Sequence, residues 1–238
     1  MEHAQTPRLD RRRVERLLSE AKSQRSAGNR IEVFSRHFLG QPYQINPLIG
    51  SAETPEVFTV SLDAFDCVTY IETILALSLT SSAAEFAGWL RKIRYEDGVI
   101  AWERRNHYLT GWIRTNVRTG ALQRLSLSGL PVSVKKRTLD VVPGLRSVQA
   151  RFSCVPKPAI RKLVRRLKTG DLIFFASTRK HLDIFHCGVI FRNGGRTFVR
   201  HASRSRRGVV EQDLNEFLKA NRMAGVIIAR PKELGDRP

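Results

Sequence analysis

Residues 183–203 read DIFHCGVIFRNGGRTFVRHAS, and this stretch decides the fold. Two runs rich in Ile, Phe and Val flank Asn193-Gly194, a dipeptide that is the strongest short signal for a two-residue hairpin turn. That turn places His186 opposite His201, and opposed side chains on one face of a hairpin have Cβ atoms roughly 4.5–5.5 Å apart. The stretch therefore predicts an antiparallel ribbon that carries two histidines in contact.

Other turns would shift this pairing. A turn at Gly194-Gly195 places His186 opposite Ser203, and a three-residue loop places it beside Ala202. A histidine in contact with a second one is held in a fixed tautomer and tilt, which is the support that a general base needs. The alternatives are two half-exposed histidines on an edge strand, or the start of a metal site. Cys187 points to the opposite face by strand alternation, so a third ligand is lacking and we predict no metal.

A second stretch, residues 63–77, reads DAFDCVTYIETILAL. Apolar residues recur after Cys67 at helical spacing, which predicts a helix over 67–79 with Asp66 as its N-cap. A thiol at the first turn of a helix lies near the positive end of the helix dipole, which favours the nucleophilic thiolate. The Asp66 charge opposes this effect, and a nearby imidazole would complete the activation. The alternative is a small apolar cysteine packed in the core.

Helices precede strands along the chain, which is typical of an α+β fold with an antiparallel sheet. We predict helices over residues 8–27, 30–39, 67–79, 84–93 and 158–167, and strands over 57–62, 171–177, 183–191, 196–203 and 224–230. Residues 121–157 are polar and interrupted by prolines, and we expect them to wrap the surface.

The 238 residues carry a formal net charge of +19, and the three cysteines exclude a disulfide scaffold. The positive charge clusters in residues 11–13, 135–137, 161–168 and 204–207, so anionic polymers are candidate partners. Few exposed aromatic residues interleave these clusters, which argues against nucleic acid. No 18-residue apolar run and no signal peptide are visible, which predicts no transmembrane segment.

Six segments resemble, in order, the motifs of a bacterial cell-wall family. They are PY (42–43), DCVTYIET (66–73), IRYEDG (93–98), RNHYLTGWI (105–113), LDIFHCG (182–188) and HAS (201–203). FDCVTYIET (65–73), GDLIFF (170–175), HCGVIF (186–191) and HAS resemble the NlpC-type papain-like cysteine peptidases. The larger set is similar to their N-acetylmuramoyl-L-alanine amidase-like subfamily. This resemblance, which runs from about residue 35 to 230, implies a papain-like α+β fold. Together with the charged helix predicted over residues 8–27, it predicts an N-terminal helical extension at residues 1–29 and the amidase domain at residues 30–238.

The resemblance also implies a catalytic triad of Cys67 as nucleophile, His186 as base and His201 as the orienting residue, with no cofactor. The reaction would be hydrolysis of the amide between muramic acid and L-alanine in peptidoglycan or muropeptides. Six side chains are predicted to contact substrate: Tyr43, Glu72, His107, Tyr108, Trp112 and Ser203.

Two other functions remain open on the same scaffold: a γ-D-glutamyl peptidase of the stem peptide, and an inactive polyanion-binding protein. The resemblance places the protein in the periplasm or cell envelope, with anionic envelope polymers as further partners. The lack of a visible signal peptide leaves the cytoplasm open.

Overall fold

The computed structural model describes residues 9–233, which form an α+β fold around one antiparallel sheet. The helices are α1 Arg11–Glu20, α2 Ala27–His37, α3 Cys67–Ser78, α4 Ala83–Arg94, α5 Leu109–Arg118, α6 Ile160–Val164 and α7 Leu214–Ala220. The strands are β1 Leu122–Arg124, β2 Ser133–Leu139, β3 Val148–Pro156, β4 Leu172–Ala176, β5 Ile184–Asn193, β6 Arg196–Ser203, β7 Gly208–Asp213 and β8 Gly225–Pro231.

The strand order in the sheet is β2-β3-β8-β4-β5-β6-β7, and β1 pairs with β8 off this path. Strands β4 to β7 are consecutive antiparallel neighbours, which agrees with the predicted antiparallel sheet. The last strand, β8, returns to pair with β4 on its other side. Strand β5 therefore lies inside the sheet, where both of its edges are hydrogen-bonded and its side chains are held firmly.

Two apolar layers flank the sheet. Helices α1 to α5 share a core with one face, to which α1 contributes Val14 and Leu17. Helices α6 and α7 cover the opposite face. Helix α3 is buried from Thr69 to Ser78 because it lies between its neighbouring helices and the sheet. Its first turn remains partly exposed, and this turn carries Cys67.

The β5–β6 turn falls at Gly194-Gly195, because Asn193 pairs with Arg196. Both glycines have positive φ, 53° and 77°, as a two-residue turn of this hand requires. The prediction that Asn193-Gly194 forms the turn is wrong, and the alternative register is the one observed. His186 and His201 are therefore diagonal neighbours on the same face rather than directly opposed.

Two other predictions of secondary structure are wrong, and two elements were missed. Residues 121–157 form β1, β2 and β3 instead of an irregular wrap, and 57–62 form no strand beyond one bridge between Ile49 and Val57. Helix α7 and strand β7 were not predicted. Within residues 9–233, no helix is long and apolar enough to cross a membrane.

Candidate active site

The first turn of α3 is fixed by a side-chain cap. One carboxylate oxygen of Asp66 accepts hydrogen bonds from the backbone N–H groups of Val68 and Thr69, at 3.0 and 2.7 Å. The Thr69 hydroxyl in turn accepts from the Asp66 N–H at 3.0 Å, which completes a capping box. The Cys67 backbone N–H takes no part in this cap, and no acceptor binds it within residues 9–233.

The Cys67 sulfur lies against the start of β5. The Cys187 thiol, the His186 ring and the Cys187 backbone stabilise the thiolate form of this sulfur, and together they lower the pKa of Cys67 well below its usual value against the opposing effect of burial. The Cys187 sulfur also lies 3.1 Å from the Cys67 carbonyl oxygen. Burial and the adjoining Cys67 raise the pKa of the Cys187 thiol, so Cys187 keeps its proton and acts as the donor.

The two histidines are in direct contact. His186 Nε2 and His201 Nδ1 are 2.7 Å apart, with the rings nearly perpendicular. Burial and the charge of His186 lower the pKa of His201 to about 3, so His201 is neutral and its Nδ1 accepts a hydrogen bond from His186 Nε2–H. The other nitrogen of His186 then faces Cys67. Phe217 of α7 packs against both rings, with centroids 5.7 and 5.3 Å away, and limits their tilt.

A glycine allows β6 to approach the catalytic end of β5. A Cβ atom on Gly188 would lie 2.8 Å from the Arg200 carbonyl oxygen and 3.1 Å from the His201 Cβ. Any larger residue two positions after His186 would therefore push His201 away. This gives a physical reason for the glycine of the H-x-G segment.

Several supporting residues were missed from the sequence. Arg200 is buried on β6 and donates to Glu211 at 2.8 Å and to the Glu32 carbonyl at 3.0 Å, which ties β6 to helix α2. The Gln212 side chain approaches His201 and favours its charged form. In the sequence, only the alternation of side chains along paired strands could have indicated these residues. That signal was not usable here, because β7, which carries Glu211 and Gln212, was not predicted.

Tyr43 lies near enough to Cys67 and Asp66 for their charges to act on its hydroxyl. Burial, followed by the charges of Cys67 and Asp66, raises the pKa of its hydroxyl. No acceptor or donor is bound to this hydroxyl within the described part of the chain. The backbone N–H of Tyr43 binds the Arg207 carbonyl at 3.0 Å, which holds the tyrosine loop against the β6–β7 turn.

Glu72 and Trp112 do not fit their predicted role in substrate binding. Their side chains are buried, and Trp112 Nε1 donates to Glu72 Oε1 at 3.2 Å. Glu72 Oε2 accepts from Arg94 Nε at 2.7 Å, which agrees with a structural role for Arg94. A substrate cannot touch either side chain, because α3 is covered on every side rather than along one stripe.

The three remaining predicted contacts are dispersed. Ser203 is buried, and its hydroxyl lies 3.2 Å from that of Ser205 in the β6–β7 turn, so it presents little surface to a substrate. His107 is partly exposed, and its Nε2 lies 2.7 Å from the Trp102 carbonyl oxygen. Tyr108 is largely buried beside the β2–β3 loop, where its hydroxyl accepts from Val142 N–H at 3.4 Å. Among the described residues, no group of His, Cys, Asp and Glu side chains could hold a metal ion.

The lowered pKa of Cys67 predicts fast alkylation of this thiol at neutral pH. We expect the rate with iodoacetamide to reach its plateau below the pH at which a free thiol ionises, because only the thiolate reacts. Asp66→Asn should move this titration to still lower pH: asparagine caps a helix as well as aspartate, and it removes a negative charge next to the sulfur.

The measurement is the mass of the labelled protein against time at a series of pH values. Cys154 and Cys187 are buried, and Cys67→Ala provides the control because it should abolish the fast label. A Cys67 rate that rises only in the range of an ordinary thiol would contradict the proposed hydrogen bonds.

A comparison with protein families identifies the chain. The model of the N-acetylmuramoyl-L-alanine amidase-like family matches residues 33–226. The chain belongs to this family. The match contains Cys67, His186 and His201, together with Tyr43, so the whole candidate site lies inside the segment that defines the family.

Solved structures agree with this assignment. An N-acetylmuramoyl-L-alanine amidase from Bacteroides uniformis is 26% identical, with a TM-score of 0.77 over 87% of this chain and 99% of that chain. A Legionella pneumophila protein superposes with a TM-score of 0.82 over 94% of this chain and 95% of its own, at 20% identity. A putative xylanase from Bacteroides fragilis has a TM-score of 0.73 at 24% identity, over 83% and 99% of the two chains. The last two likenesses concern the fold alone. Among curated proteins, no match to the chain was found.

Proposed function

We propose that the protein is a cysteine amidase that hydrolyses the N-acetylmuramoyl-L-alanine bond of peptidoglycan or of its fragments in the cell envelope. The observation that carries the proposal is the contact chain from Cys67 through His186 to His201, at the partly exposed tip of a buried helix. Family membership and the Bacteroides uniformis amidase support the same bond. The helix-on-sheet arrangement also supports descent from the NlpC-type papain-like enzymes.

The reaction begins with proton transfer and attack. His186 takes the Cys67 proton on its free ring nitrogen, and the thiolate attacks the lactyl carbonyl carbon to form a C–S bond. His201, which is neutral, accepts the hydrogen bond from His186 Nε2 and holds the ring in the correct tautomer. The protonated His186 then gives its proton to the L-alanine nitrogen as the C–N bond breaks. Water, deprotonated by His186, cleaves the thioester and releases muramic acid.

Two donors are placed for the oxyanion of the tetrahedral intermediate. The Cys67 backbone N–H is unused by the helix cap and lies at the positive end of α3. The Tyr43 hydroxyl is the second donor. The charge of Cys67 is among the causes that raise the pKa of this hydroxyl, so the hydroxyl keeps its proton. Donors fixed before the reaction stabilise the developing charge without reorganisation, which is usually the largest catalytic contribution.

Digestion of purified muropeptides, followed by mass spectrometry, tests this function. We expect the wild-type protein to release the intact stem peptide from muramic acid, and Cys67→Ala to release none. Cleavage after D-glutamate would reassign the protein to the γ-D-glutamyl peptidases. The absence of any product, together with salt-sensitive binding to polyanions, would favour an inactive binding protein.

A further inference from the structure

A cavity of about 630 Å³ lies between α5, the end of β1, and the β2–β3 hairpin. None of the three triad residues lines it. Its volume is within the usual range of ligand sites, roughly 300–1,000 Å³. We refer to it as the arginine cavity, because seven arginines and only two glutamates, Glu96 and Glu103, contribute to its lining.

Three of these arginines have acidic partners. Arg104 and Arg118 lie 3.6 and 3.8 Å from Glu96, and Arg105 lies 3.4 Å from Glu56. The other four are exposed, and their side chains form no ion pair or hydrogen bond within residues 9–233: Arg114 on α5, Arg124 on β1, Arg146 in the β2–β3 loop and Arg151 on β3. Four elements thus direct uncompensated positive charge at one space.

Apolar side chains form the rest of the wall. Leu125 and Leu127 follow β1, and Val134 and Phe152 come from the two strands of the hairpin. A site of this composition suits a ligand that combines carboxylates with aliphatic segments. A bare inorganic anion would leave the apolar part of the wall in contact with water.

One wall residue of the arginine cavity is hydrogen-bonded to Asp183, which directly precedes β5, the strand that carries His186. Thr110, on its wall, donates to Asp183 Oδ2 through its backbone N–H at 2.8 Å and through its hydroxyl at 2.7 Å. Asp183 precedes His186 by three residues, which is about 10 Å along an extended strand. A peptide of three residues spans the same length when extended.

We propose that the arginine cavity binds the acidic stem peptide of the muropeptide. The inference rests on the proposed function, which places the muramoyl-L-alanine bond at Cys67. On one side of that bond the sugar is neutral, whereas on the other the peptide carries free carboxylates. Arginine is the side chain best suited to them, because its planar guanidinium binds a carboxylate through two hydrogen bonds.

Titration calorimetry with a full-length Cys67→Ala protein tests the proposal apart from the chemistry. The probe is the tripeptide L-alanyl-γ-D-glutamyl-L-lysine with free carboxylates, and its analogue with amidated carboxylates is the comparison. Addition of Arg146→Gln and Arg151→Gln should weaken tripeptide binding by about tenfold for each arginine removed, as expected for one charge-assisted hydrogen bond. The amidated analogue should bind weakly to every variant.

The matched control is Arg161→Gln with Arg165→Gln, which removes the same charge from α6 on the opposite face of the sheet. Tripeptide affinity should be unchanged in this control. In the active enzyme, the Arg146 and Arg151 changes should raise KM for the acidic substrate and leave kcat nearly constant.

Four results would overturn the proposal. Two of them concern the variants: an equal loss of tripeptide affinity in the α6 control, or no loss of affinity when Arg146 and Arg151 are removed. The other two concern the ligand: equal binding of the amidated analogue, or tighter binding of polyphosphate than of the tripeptide through the same arginines. If muropeptides are not cleaved but tripeptide binding depends on the two arginines, the binding site stands and the proposed reaction is wrong. If the amide is cleaved but tripeptide binding does not depend on the two arginines, the proposed reaction stands and the proposed binding site is wrong.

Discussion

Cys67→Ser is expected to reduce turnover of a muramoyl peptide by about 10⁴-fold or more, the loss typical of removing one member of a catalytic triad. The serine hydroxyl has nearly the same shape, so substrate binding should persist. Its proton, however, is far less acidic than that of the thiol, and His186 and Cys187 are arranged to stabilise a thiolate. Initial rates with a defined muropeptide, measured at several substrate concentrations, separate the loss in kcat from any change in KM.

The matched control for this prediction is Cys154→Ala. Cys154 is buried on β3, and its sulfur is near the Ser133 carbonyl oxygen at 3.7 Å. We expect nearly full activity from this variant. If Cys67→Ser kept more than about one hundredth of the wild-type kcat, a different nucleophile would have to be sought. Thermal unfolding of each variant shows whether a loss of activity reflects a loss of fold.

The geometry of the candidate site was predictable because it depends on local rules. The cap by Asp66 and the apolar spacing after Cys67 specify where α3 begins, and the observed helix starts at that residue. The histidine contact survived an incorrect turn assignment. The observed turn lies one residue later than the predicted one, which shifts the strand pairing by two residues. Such a shift keeps both histidines on the same face, so His201 is a diagonal neighbour of His186 instead of a directly opposed one.

Residues 121–157 show where sequence reasoning fails. Strands β2 and β3 pair along their length, but most of their side chains remain partly or fully exposed. A two-stranded ribbon that buries few side chains has no strict alternation of apolar and polar residues, so its sequence predicts a surface loop. The same ribbon supplies Arg146 and Arg151 to the arginine cavity, which only the folded chain brings together with α5.

Glu72 was misassigned for a related reason. An acid on a helix next to a nucleophile suggests a role in the site, because charged residues are rarely buried without a partner. Its partner, Arg94, lies on α4, and a single sequence does not show which helices are neighbours. The predicted contact of Glu72 with substrate did not take this buried ion pair into account. Because the pair is buried, the stability of the fold should depend strongly on it.

Arg94→Ala is expected to lower the free energy of unfolding by about 3–5 kcal/mol, the usual cost of breaking a buried ion pair by removing one partner. Both side chains are almost fully inaccessible, with exposed fractions of 3% for Arg94 and 2% for Glu72. Arg94 also donates to the Thr59 carbonyl at 2.6 Å. The substitution leaves the Glu72 carboxylate with the Trp112 indole N–H as its remaining donor, inside the helix layer that positions α3.

Urea unfolding followed by circular dichroism measures this effect as a shift of the midpoint at constant slope. Arg196→Ala is the control: its ion pair with Asp213 spans 3.0 Å, but Arg196 is 64% exposed, and such surface pairs contribute only about 0–1 kcal/mol. The double change Arg94→Met with Glu72→Leu should recover much of the loss, because it removes both charges and keeps the volume. If Arg94→Ala cost no more than the surface control, the buried pair would have no role in holding α3 against α4, and the rigidity of the Cys67 turn would have to come from the sheet alone.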